Sequence, residues 1–290
     1  MKRLLAEVNI SEGRDPELID QVLLALKAHE VDVIDVDSEP NHNRTVFTYI
    51  GEPQAVLEGT KALVAKAVAL IDMTRHTGSH PRMGAVDVVP FVPVKEVSIE
   101  EALEVAKSFG RFLGDLGVPV YYYEEAATRP ERSSLVKIRK GQYEALAEKM
   151  TREEWRPDEG PFEFVPKSGA TVTGVRFPLV AFNVNLKTED LAVCKKIVQA
   201  IRGATGGYTH VRAIALPLEG EGLTQISMNL VNYEKTPIHR VFETIKSEAA
   251  SYGILVQGTE LVGPVPLMAL KDVLEHYLQT HSFSMDQIYS

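Results

Sequence analysis

Apolar positions recur with two different periods along this chain, and the switches between them mark out its elements. Residues 3–9 alternate as a strand. After a polar loop at 10–15, Asp15 and Pro16 open a helix with the stripe Leu18, Ile19, Val22, Leu23 and Leu26. Residues 31–36 alternate again and deliver Asp35 and Asp37 to a strand end, and residues 44–50 form the next strand. An alanine- and valine-rich helix spans 53–71, and 86–93 reads as a buried strand. Ser98 and Glu101 have the spacing of a capping box at the start of another helix. A strand follows at 118–123, and 131–150 reads as helical with a break at Gly141.

Between 151 and 173 the periodicity disappears under Pro157, Gly160, Pro161, Pro166 and Gly169, so this stretch is either a linker or a ligand-covering loop. Beyond it the pattern restarts as strand 178–186, helix 189–202, strands 210–217 and 224–231, helix 237–252, strand 254–260 and helix 265–280. Both halves therefore run β-α-β-β-α-β, the split βαβ order of ferredoxin-like folds, and the first adds one more helix and strand. The expected fold class is α/β. It comprises two ferredoxin-like subdomains, 1–176 and 177–290, each a mixed sheet with helices on its outer face.

Composition narrows the function. With 44% hydrophobic and 24% charged residues the chain reads as soluble and globular. A net charge of -9, with no basic stripe, argues against a nucleic-acid partner. No apolar run approaches the roughly 20 residues of a membrane helix, and Glu7 and Asn9 interrupt the N-terminal apolar stretch too early for a signal peptide. The single cysteine, Cys194, falls on the helical stripe Leu191, Cys194, Ile197, Val198 and Ile201, as a core residue does. A cytoplasmic protein is expected.

The chemistry concentrates in residues 72–84, DMTRHTGSHPRMG. Gly78 and Pro81 prevent a helix, so His76 and His80 sit in a loop beside Arg75 and Arg82, where proton carriers meet carboxylate holders. A second polar loop carries His42, Asn43 and Arg44 just after Asp37. Asp35, Asp37, His42, His76 and His80 would also suit a divalent metal, but no ligand geometry is fixed by the sequence, and no metal is the preferred expectation. Phe162 and Phe164 could pack on a flat ring while neighbouring glycines let backbone approach it.

Taken together the segments NISEGRD, DVDSEPNHNRTVFTYIG, LIDMTRHTGSHPRMGAVDVVPFVPV, FVPKSGATVTG, LVAFNVNL, QISMNLVNYEKTP and ELVGPVPLMAL resemble the glutamate formiminotransferase family over essentially the whole chain. Bifunctional members add a helical cyclodeaminase domain, for which no residues are seen. The resemblance implies transfer of a formimino group from N-formimino-L-glutamate to N5 of tetrahydrofolate, a co-substrate, with release of glutamate. It implies a homodimer whose subdomains face each other across a substrate channel. By position it makes His80 the catalytic general base and acid and Asp37 an aspartate of the same active-site face. It makes Gly160, Pro161, Phe162, Glu163, Phe164, Val165, Pro166, Lys167, Ser168 and Gly169 the folate-binding segment. Asn43, Arg44 and Arg82 are the candidates for holding substrate carboxylates. A bulky residue at Gly169 is expected to impair folate binding with little effect on stability. The competing readings are formyl transfer from N-formylglutamate and a non-catalytic module that binds folate or an amino acid.

Overall fold

In β1 (Arg3–Ile10) every second residue is buried, Leu4, Ala6, Val8 and Ile10, so one face of the first strand is committed to a core. The computed structural model describes residues 1–218, 220–280 and 283–288. α1 (Pro16–Lys27) starts where the Asp15 carboxylate accepts the backbone N–H groups of Glu17 and Leu18. β2 (Val31–Glu39), β3 (Arg44–Gly51), α2 (Pro53–Leu70) and β4 (Val86–Lys95) complete a βαββαβ module whose strands lie in the order β2-β3-β1-β4, all antiparallel. Leu26 of α1, Leu63 and Val64 of α2 and Phe109 of α3 (Ile99–Asp115) pack with the inward residues of β1 in one core.

α3 is capped by Ser98, whose side chain accepts the Glu101 N–H at 3.2 Å. The reciprocal half of the expected capping box is missing, because the Glu101 carboxylate pairs with Lys2 instead. β5 (Val120–Glu124) follows, and then the 131–150 stretch departs from expectation. It holds only two short helices, α4 (Leu135–Arg139) and α5 (Leu146–Lys149), with turns of 3-10 helix around them. Gln142 at φ 56° and Gly141 at φ 87° break the helical path between them.

β6 (Thr171–Val175) is the larger correction, since it begins within the stretch 151–173 read as irregular. It inserts between β4 and β5, parallel to both, and makes a six-stranded sheet of order β2-β3-β1-β4-β6-β5. All five of its residues are buried, so it carries no alternation for a sequence pattern to reveal. The second face of this half is covered too, but only over β4, β6 and β5. Val88, Tyr121, Tyr123 and Val172 pack there against Ile138, Leu146 and Met150. The helices of the first sheet are therefore not confined to one face.

The first compact unit ends at Arg176 and the second begins at Phe177. The second holds β7 (Val180–Leu186), α6 (Leu191–Ile201), β8 (Val211–Leu218), β9 (Leu223–Leu230), α7 (Ile238–Ser251), β10 (Val256–Val262) and α8 (Leu267–Leu278). Its antiparallel sheet runs β10-β7-β9-β8, the order of the first module again. Cys194 is buried in its core beside Ile197 and Val241. Among the described residues no helix is long and apolar enough to cross a membrane.

Candidate active site

Three loops meet at one end of the first sheet: residues 11–15 after β1, 40–43 between β2 and β3, and 71–85 before β4. Asn43 ties them together. Its backbone takes φ 50°, its Oδ1 accepts the Gly13 N–H at 3.0 Å, and its Nδ2 donates to Thr77 O at 2.9 Å. The loops are so close at Gly78 that any Cβ there would collide with the His42 carbonyl. Ser11 closes the far end, donating Oγ–H to Gly84 O at 2.8 Å and N–H to Ala85 O at 2.9 Å.

The two histidines of the central loop have different surroundings. Arg82 Nε–H donates to His76 Nδ1 at 3.2 Å, which leaves the His76 proton on Nε2, 3.0 Å from the Asn43 carbonyl. Both nitrogens are thus engaged, and burial holds the ring below its ordinary pKa. His80 has no hydrogen bond to its ring among the described residues. Its pKa is pushed down to about 4, first by partial burial and then by the positive charges of Arg44 and Arg139, with His42 behind them. The His42 ring is 6.0 Å away, centroid to centroid. His80 is therefore a neutral, unengaged imidazole at pH 7.

Below His80 the sheet is irregular. Ile10 is opposite Val86 and Asn9 opposite Val88, so Asp87 is an extra residue, a β-bulge. Its carboxylate accepts from Met83 N–H at 2.9 Å through one oxygen and from Arg139 through the other. Asp87 is 2% exposed, and burial raises its pKa while Arg139 opposes the rise. Arg139 stays in place because the Lys149 ammonium gathers the carbonyls of Ile138 and of Lys140, the latter at 3.2 Å, on either side of it.

The remaining expected residues separate into groups. Asp37 lies on edge strand β2; Val36 packs with the helices, so Asp37 points to the opposite, open face. It is exposed, makes no ion pair among the described residues, and is not among the charges acting on His80. Register places Asp37, Val46, Asn9 and Val88 in one row across four strands. Arg44, two residues before Val46 on β3, is the diagonal neighbour of Asp37, roughly 7–8 Å away and somewhat closer between Cβ atoms. The buried Arg44 Nε has no hydrogen-bond partner. Arg82 is 7% exposed and grips Glu144 with both terminal nitrogens, at 2.6 and 3.0 Å, so a substrate carboxylate would have to displace Glu144. Asn43, with both side-chain atoms committed to backbone, is likewise a fastening of the loops.

The segment 160–169 is fastened rather than slack. Lys167 O accepts Met73 N–H, Ser168 O accepts Ala85 N–H at 2.8 Å, and Ala170 N–H donates to Met83 O, all to the histidine loop and its ends. Tyr143 Oη–H donates to Pro166 O at 2.6 Å, and Phe164 packs on the Tyr143 ring. Val165 O accepts Gly169 N–H, and the Arg156 guanidinium lies 3.7 Å over the Phe162 ring. Pro161 is half-buried and Glu163 exposed; Gly160 and Gly169 have φ of 79° and 64°. A Cβ on Gly169 would strike Met83 O, which overturns the expectation that substitution there spares stability. Among the described residues no three His, Cys, Asp or Glu side chains gather as a metal-binding group.

A family model for the formiminotransferase domain, N-terminal subdomain, matches residues 3–176, and one for the formiminotransferase domain matches 181–288. The chain belongs to the formiminotransferase family. It is 47% identical to a glutamate formimidoyltransferase of Streptococcus pyogenes serotype M1 over 277 residues, covering 95% of this chain and 93% of that one. A glutamate formimidoyltransferase of Thermoplasma acidophilum is 44% identical over 284 residues, 97% and 93% of the two chains. The formimidoyltransferase-cyclodeaminase of Mus musculus is 46% identical over 276 residues, 93% of this chain and 51% of the mouse protein.

In this formiminotransferase chain Asp87, Arg139, Glu144 and Lys149 belong to the candidate site without standing out in the sequence. Asp87 had a signal, as a lone carboxylate inside the apolar run 86–93 must find a partner. Arg139 had none, because its partner lies 52 residues away.

Proposed function

We propose that this chain is a glutamate formimidoyltransferase, moving the formimino group of N-formimino-L-glutamate to N5 of tetrahydrofolate and releasing L-glutamate. Family membership supports the activity. The observation that carries the mechanism is His80, an unengaged neutral imidazole flanked by cations. N5 attacks the amidine carbon, and His80 takes the N5 proton as the new N–C bond forms. The same proton passes to the glutamate nitrogen as its C–N bond breaks and the C=N bond re-forms. An imidazole with a low pKa is a modest base but its conjugate acid readily returns the proton. Substrate carboxylates that approach the two arginines weaken the repulsion and bring His80 closer to the pH of operation.

Transition-state charge here is amidinium-like, and Asp37, on the open face, is the proposed carboxylate for it. Residues 160–169, fastened to the histidine loop, are the proposed folate segment, with Phe164 beside Tyr143 as an aromatic wall for the pterin. General acid–base transfer accounts for roughly 10²–10⁴-fold, and alignment of two bound substrates for about 7–11 kcal/mol at best. No metal takes part in this scheme. The functional particle is proposed to be a homodimer, for which the family resemblance is the support, in the cytoplasm, for which the support is a single cysteine, Cys194, that has no partner for an internal disulfide.

The test incubates the protein with tetrahydrofolate and either N-formimino- or N-formyl-L-glutamate, following folate absorbance and free glutamate. Turnover of the formimino donor is expected. Turnover of the formyl donor alone would replace the reaction, and folate binding without glutamate release would reduce the chain to a binding module. Sedimentation velocity decides the dimer.

A further inference from the structure

Two guanidinium groups flank His80, and each has a buried Nε–H with no hydrogen-bond partner, Arg44 on β3 and Arg139 at the end of α4. A buried donor left unpaired is costly, and two such guanidinium groups acting on one histidine favour an acceptor that arrives from outside. Both charges act on His80 and also on Asp87, which places all four groups in one cluster. Asp87 neutralises one arginine, so the cluster retains a single positive charge. The frame around it is rigid: Asp87 also holds Met83 of the histidine loop, and Lys149 fixes the backbone on both sides of Arg139.

We infer that Arg44 and Arg139 together form the subsite for the α-carboxylate of the donor, formiminoglutamate. The inference rests on the transfer reading above and deepens it. Its reason is bond connectivity. The donor's α-carboxylate is attached to the same carbon as the leaving nitrogen that His80 must protonate. The carboxylates of tetrahydrofolate are separated from N5 by the whole aminobenzoyl group, and the donor's distal carboxylate by two methylenes more. An anion site touching the neighbourhood of His80 therefore suits only the α-carboxylate. Planar guanidinium groups meeting a carboxylate give paired, charge-assisted hydrogen bonds, which fix orientation as well as affinity.

The experiment compares formiminoglutamate with N-formimino-4-aminobutyrate, which keeps the distal carboxylate and lacks the α one. The intact protein should prefer formiminoglutamate by about 100-fold in kcat/KM, as a site built for a buried charge rejects the analogue without it. In Arg44→Gln and in Arg139→Met that preference should collapse to a few-fold, mainly through the donor KM, while the folate KM stays unchanged. Since Arg139→Met leaves a buried carboxylate unpaired, the double variant Asp87→Asn/Arg139→Met is measured beside it. If neither folds, Arg44→Gln alone decides. Retention of the preference in a folded variant, or a rise in folate KM instead, overturns the assignment. Calorimetric titration with L-glutamate, against 4-aminobutyrate as control, separates the two levels. Glutamate binding that needs Arg44 in a protein that turns over neither donor would leave the carboxylate site standing and remove the transfer reading.

Discussion

The two units share the strand order of one four-stranded module but not their loops. After α2 the chain runs through residues 71–85 before β4 begins, whereas after α7 only residues 252–255 separate the helix from β10. The long loop holds both histidines and Arg82, is stitched to residues 11–15 and 40–43, and overlies the bulge at Asp87. The short one is a turn through Gly253, whose φ of 71° needs no neighbour's help. The same frame thus carries the proposed chemistry in one unit through a single extended connection, and the frame by itself says nothing of function.

This contrast can be broken in several ways. The largest effect should come from His80→Ala, which is expected to lower kcat by about 10²–10⁴-fold with folate binding kept within a few-fold. His239→Ala and His276→Ala in the second unit, whose rings stack at 4.4 Å, should leave kcat within a few-fold. A comparable loss from either would show that steady-state chemistry is shared by both units. Next comes the same substitution at two left-handed glycines. Gly253→Val meets open space, so it should cost about 1–2 kcal/mol from backbone strain alone. Gly169→Val adds a collision with Met83 O, and thermal melts should show the larger fall in Tm; equal shifts would mean that the fastening of segment 160–169 is slack.

A smaller effect concerns protons. Because His80 titrates near 4 in the free protein, its base form should keep kcat/KM level on acidification well past 6.5. When donor carboxylate offsets the two arginines the pKa rises, so kcat should begin to fall at a higher pH than kcat/KM. Identical apparent pKa values at or above 6.5 in both profiles would contradict that coupling. Stability moves in the same window: unfolded His80 binds a proton at pH values where the folded residue does not. Stability should therefore fall as pH drops from about 6.5 towards 4, and His80→Asn should flatten part of that slope in melts. The smallest expected effect is none, namely unchanged turnover after exhaustive dialysis against EDTA. Loss restored by zinc or manganese would give the histidine loop a different role.

Much of this was legible in the residues, for reasons that can be named. β1 alternates because one of its faces meets helices, β2 does so only on either side of a bulge between Val33 and Asp35, and the loop 72–84 stood out because proton carriers and guanidinium groups rarely crowd so closely. β6 was hidden, since a short central strand covered on both faces has neither alternation nor length, and Gly174 lies within it. The division between His76 and His80 was hidden as well, because it depends on Arg82 and on the carbonyl of Asn43, neither of which spacing can orient. Asn43 and Arg82 read as binders of substrate for the same reason that they are fastenings, since a good hydrogen-bond donor suits either use.

The position of β6 also dictates an order of events during synthesis. β4 and β5 leave the ribosome first, yet they never pair with each other, because the slot between them belongs to a strand made some fifty residues later. Until that strand arrives, β4 presents an unpaired apolar edge, and the Val88, Tyr121 and Tyr123 surface lacks Val172 beneath its cover. Nascent chains halted before residue 171 should therefore be sticky, recruiting holdase chaperones or one another, whereas chains extended far enough past 175 for β6 to clear the ribosome can seal the sheet. The last strand of the unit acts as the keystone of its assembly line.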